Sequence, residues 1–177
     1  MTVTIDQIQG FLQTRNLHYF TSPDNETLLL PYRLGPRLSV KVLIRVDCEG
    51  SFLQIACNDL PMVESGHPMI GQVQQCLLAF SNSQRFVKFS QDPDDGEITV
   101  AGDAWLEDME LTERAFSRMM SNFLQSLTKA GEAIDAILQG RGDTQDVAPQ
   151  EDLPDALRRL LDRPDDHQAD GEQRDAA

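Results

Sequence analysis

The sequence predicts an α+β fold, with three helices and a five-stranded antiparallel sheet in the order α-β-β-β-α-β-β-α. Three observations carry the prediction. Apolar and polar residues alternate in five short runs, the period of a half-buried strand. Apolar residues at three-and-four spacing fill three longer stretches, the period of an amphipathic helix. Gly35-Pro36, Glu49-Gly50 and Asp94-Asp95-Gly96 punctuate these stretches with turn chemistry.

The first helix has a readable start. Thr4 is the N-cap, Gln7 stands three residues later in capping-box position, and Val3 is placed to staple onto Ile8. Ile5, Ile8, Phe11 and Leu12 share one face, Asn16 closes the helix before Leu17-His18-Tyr19-Phe20, and Ser22-Pro23-Asp24-Asn25 makes a turn. Residues 27–30, 38–46 and 51–57 then read as three strands of a meander, the last following a tight Glu49-Gly50 turn. Pro31 removes a ladder donor, which puts the first of these at an edge or ends it there. In the middle strand Leu38, Val40, Val42, Ile44 and Val46 should face the core, while Ser39, Lys41, Leu43, Arg45 and Asp47 face out.

Pro68 suits a first helical position, and Met69, Ile70, Val73, Cys76, Leu77 and Phe80 form the stripe of a second helix. A hairpin follows, with strands over 85–91 and 97–104 and a turn at Asp94-Asp95-Gly96 that demands positive φ. Thr112 caps the last helix and Leu111 can staple to Phe116. Met119, Met120, Phe123, Leu124, Leu127, Ile134, Ile137 and Leu138 hold its stripe, Gly131 weakens its middle, and Gly140-Arg141-Gly142 ends it.

This organisation gives one domain over residues 1–142 and an acidic tail over 143–177, expected to be disordered. The tail holds eleven acidic and four basic residues, half of the chain's formal charge of −14. Within it Leu157, Leu160 and Leu161 have the spacing of a helical turn that could form on a partner. So acidic a chain repels phosphate backbones and anionic lipid over about one Debye length, roughly 8 Å, so neither nucleic acid nor membrane is an expected partner. The opening Met1-Thr2-Val3-Thr4-Ile5-Asp6 has neither a basic leader nor an apolar signal core, and the expected location is the cytoplasm.

The element order is the plan of the type III secretion chaperone-like fold, and the local sequence resembles the YbjN-like domain family. The resemblance lies in His67-Pro68, residues 82–89, Asp92-Pro93-Asp94-Asp95-Gly96-Glu97, Leu106-Glu107-Asp108 and Leu111-Thr112, and covers about residues 4–138. It implies a regulatory or sensory α+β domain, frequently homodimeric, akin to chaperones that hold partner proteins. It supplies no catalytic residues. The acidic tail and the single Trp105 at the end of the last strand depart from the family's pattern.

Asp92, Asp94, Asp95 and Glu97 gather oxygen ligands, but a calcium loop needs Gly sixth and a bidentate acid twelfth, whereas Gly96 is fifth and Asp103 falls in the return strand. Glu107, Asp108 and Glu110 precede a helix N-terminus, where the macrodipole favours acids. Cys48, Cys57 and Cys76 lack CxxC spacing, two of them lie within apparent strands, and His18, His67 and His167 are far apart. No catalytic, cofactor-binding or metal-binding residue is assigned, and Met69, Met119 and Met120 read as core.

The leading expectation is a non-enzymatic protein-binding module, chaperone-like or regulatory, acting as a homodimer on an unidentified protein partner. A sheet covered on one face only leaves the other for contact, with Leu43 on it and Leu157, Leu160 and Leu161 as further contact candidates. The alternatives are an enzyme or small-ligand sensor with a pocket between the long helix and the sheet, and a scaffold whose acidic tail does the binding.

Overall fold

A computed structural model describes residues 2–35, 38–107 and 109–141. In chain order the elements are α1 (Ile5–Thr14), β1 (Phe20–Thr21), β2 (Thr27–Leu34), β3 (Leu38–Asp47), a 3₁₀ turn (Cys48–Gly50), β4 (Phe52–Cys57), α2 (Ile70–Ser83), β5 (Val87–Gln91), β6 (Ile98–Trp105) and α3 (Glu113–Leu138). The sheet runs β1-β2-β3-β4-β6-β5, with every neighbouring pair antiparallel.

The sheet therefore has six strands, not the expected five. Phe20 and Thr21 pair with Leu29 and Leu28. Two residues are too few to show alternation, so what creates this strand is the turn that follows it. Ser22 N–H donates to Thr27 O, Thr27 N–H donates to Ser22 Oγ, and Asn25 takes φ +60°. Asp24 accepts from the Ser22 hydroxyl and the Glu26 N–H, and these bonds hold its carboxyl below the usual range.

Pro31 does not end β2, which continues to Leu34. Pro31 stands opposite Lys41, and Lys41 N–H points the other way, to Asp59 Oδ2 at 2.9 Å. The two residues are thus a non-hydrogen-bonded pair, and the missing Pro31 donor falls on the side where β1 has already ended. Strand β2 is thus not the edge strand, being second in the sheet behind β1, and it lies at an edge only beyond its two residues paired with β1, Leu28 and Leu29.

Thr4 caps α1, accepting from Gln7 N–H at 3.2 Å. The capping box is not completed: the Gln7 amide donates instead to Leu111 O, tying the start of α1 to the segment before α3. Asn16, at φ +52°, ends the helix as a Schellman motif, with Asn16 N–H on Gln13 O and Leu17 N–H on Leu12 O. Helix α2 begins two residues later than Pro68, because His67 Nδ1 takes the Met69 N–H and holds Pro68 and Met69 in a preceding turn. Thr112 caps α3 through Ala115 N–H, and Gly140, at φ +68°, ends it with a second Schellman pair.

The core lies between the helices and one face of the sheet. Phe116, Met120, Phe123, Leu124 and Leu127 of α3 and Ile8 and Leu12 of α1 join Leu28, Ile44, Leu53, Ile55 and Val100 in a single cluster. Gly131 has a packing role: a methyl there would stand 3.2 Å from Leu34 Cδ1. The expected contact positions Leu157, Leu160 and Leu161, like the whole of 142–177, lie outside the described residues.

Candidate functional site on the open face of the sheet

Strand register decides which side chains share the uncovered face. Phe20 lies opposite Leu29, Leu29 opposite Leu43, Leu43 opposite Ala56, and Ala56 opposite Ala101. Cross-strand partners point to the same side, so these five form an apolar row at right angles to the strands. Lys88, opposite Ala101, closes it. With strands about 4.8 Å apart, the row from Phe20 to Ala101 is about 19 Å long. Its relief is uneven, since Phe20 is 64% exposed whereas Ala56, beside the larger Leu43, is 8% exposed.

The flanks of the row differ. On one side stand Pro31, Lys41, Thr99 and Ser90, with Arg33 and Ser39 beyond. On the other stand Thr27, Arg45, Gln54 and Asp103, and there the charges are largely satisfied: Arg45 pairs with Asp47 at 2.6 Å, and the Gln54 amide donates to Asp103 at 2.9 Å. Past this polar row Phe52 and Trp105 meet with ring centroids 4.9 Å apart, and Trp105 is 62% exposed. Leu43, expected on this face, is there and half-buried at the centre of the apolar row. Sequence reasoning missed its neighbours Phe20, Leu29, Ala56 and Ala101, whose common row only the register reveals.

The edges of the sheet are partly occupied. On β5, Ser81 Oγ donates to Phe89 O and accepts from Phe89 N–H, filling the backbone positions that a further strand would use. On β2, β1 covers one end and Pro31 lacks a donor at the other.

Other polar groups are occupied locally. Asp92 Oδ1 and Asp95 Oδ1 accept from Asp94 N–H and Glu97 N–H within the hairpin turn, whose Gly96 has the expected positive φ of +78°. Among the described residues no group of three or more His, Cys, Asp or Glu stands together as a metal site. Cys48 is not in a strand but in the exposed 3₁₀ turn, at φ +52°. Burial pushes the Cys57 thiol up to about 11. The space between α3 and the sheet is filled by Phe123, Leu127, Ile44 and Val100, none more than 2% exposed, and at its margin Tyr32 and Thr128 hydroxyls meet at 3.0 Å. Among the described residues no helix is long and apolar enough to cross a membrane.

Fold and face together define an α+β domain of three helices on one side of an antiparallel sheet, with an apolar row open on the other. The fold has solved counterparts. The chain is similar to YbjN from E. coli, provisionally described as a transcription regulator, at 15% identity and a TM-score of 0.53, over 80% of this chain and 93% of that one. It is also similar to an uncharacterized protein from Methanothermobacter thermautotrophicus, at 14% identity and a TM-score of 0.51, over 78% and 99%. At these identities the likeness is one of fold. No protein-family model matches the chain, and no curated protein does.

Proposed function

We propose that this chain is a non-enzymatic, regulatory protein-binding module of the cytoplasm, built on the type III secretion chaperone-like plan and acting as a homodimer, with its open sheet face as the contact surface. The observation that carries the reading is the apolar row of Phe20, Leu29, Leu43, Ala56 and Ala101, which no other described element covers. An apolar band running across a whole sheet, rimmed by polar side chains, is the anatomy of a contact surface. The fold-level likeness to YbjN supports a regulatory role, and the net charge of −14 favours protein over phosphate as the thing contacted.

The test is paired affinity capture from a lysate of the source organism, using the tagged full chain and its Leu43→Asp variant. The parent should retain a polypeptide in near-stoichiometric amount that the variant loses, with both unfolding at closely similar temperatures. Equal recovery by the two chains would place the contact elsewhere. Light scattering tests the dimer, which requires twice the 19.8 kDa chain mass.

A further inference from the structure

Resting on the reading of the open face as a docking surface, we propose that its occupant is an acidic, amphipathic α-helix of a partner protein. The helical form follows from backbone accounting. A segment buried on the apolar row must satisfy its own N–H and C=O groups, because an unpaired buried amide is costly. An extended segment lying on the face cannot draw those bonds from the sheet, whose N–H and C=O groups point in its plane towards neighbouring strands, and at the β5 edge Ser81 already occupies the Phe89 groups. A helix brings its hydrogen bonds with it. The row's length of about 19 Å accommodates about 13 helical residues, enough for three or four apolar contacts along one stripe.

The acidic character follows from charge. Outward-facing strand positions carry four basic residues, Arg33, Lys41, Arg45 and Lys88, against two acidic ones, Asp47 and Asp103, on a chain of net charge −14. Arg45 is matched by Asp47, and Lys41 by Asp59, which lies 4.0 Å from its ammonium and also accepts its backbone N–H. Among the described residues the cations of this face without an ion pair are therefore Arg33 and Lys88, with Lys41 only loosely paired at 4.0 Å. Carboxylates beside the helix's apolar stripe would meet them there at contact range, where these side chains outweigh the salt-screened charge of the rest of the molecule.

The experiment is selection of a displayed random-peptide library on the immobilised full chain, with Leu43→Asp as the counter-selecting surface. Recovered peptides should carry Leu, Ile or Phe at helical spacing with Asp or Glu beside them. A synthetic copy should weaken at least tenfold with Arg33→Glu/Lys41→Glu, and severalfold on raising salt from tens to hundreds of millimolar. Leu43-dependent peptides that are basic, or that alternate as extended strands, would overturn the acidic helix while leaving the face as a docking site. Failure to recover any Leu43-dependent peptide would overturn both. A doubled solution mass abolished by Leu43→Asp would make a second copy the occupant and likewise overturn the proposal.

Discussion

Gly96 meets two demands that only a residue without a side chain can meet together. Its φ of +78° closes the β5–β6 hairpin, and a methyl on it would stand 2.4 Å from Val63 O. That contact belongs to a small lock in which Val63 N–H donates to Gly96 O and the Gln91 amide donates to Val63 O. Gly96→Ala combines left-handed strain with a backbone clash, so it should cost at least about 2 kcal/mol in denaturant unfolding. The cysteines differ by environment. Cys48 is exposed, whereas Cys57 is buried with its thiol raised to about 11. A neutral alkylating reagent should therefore label Cys48 in the native protein and Cys57 only on unfolding, which peptide mass mapping reads directly. Burial likewise raises the Glu132 carboxyl. Because its folded pKa lies above the unfolded one, its stabilising contribution is present below the ordinary glutamate range and is lost as pH rises through the folded value. Glu132→Gln should thus raise the unfolding temperature slightly near neutral pH and leave it unchanged in acid.

Elements were legible from sequence where period and caps agree. Thr4 and Thr112 start α1 and α3, Asn16 and Gly140 end them, and the Leu38–Val46 alternation sets the faces of β3, all local signals. What sequence could not supply was partnership at a distance. The Gln7 amide binds Leu111, 104 residues away, in place of its own helix start. Strand β1 exists because of its turn, and the row across the open face is a product of register among five strands, which no single segment encodes. Ser81 illustrates the same point: an unremarkable helix residue in sequence, it is the cap on the β5 edge in space. Ser81→Ala strips both bonds from Phe89, and should cost about 1–3 kcal/mol and increase self-association through the exposed edge, measured by unfolding and by sedimentation.

At the scale of the whole molecule, helices seal one side of the sheet, and among the described residues nothing covers the other, an apolar row with a polar rim of mixed charge. On the proposed function, a partner sits on this side. Exposed large apolar side chains elsewhere, Met62, Leu78 and Met109, provide internal controls. Hydroxyl-radical footprinting of the full chain, alone and in a lysate of the source organism, reads both surfaces in one experiment. Oxidation of Phe20, Leu43 and Trp105 should fall in the lysate while that of Met62 and Leu78 is unchanged. Protection at Met62 or Leu78 with Phe20, Leu43 and Trp105 still fully reactive would contradict this placement of the partner.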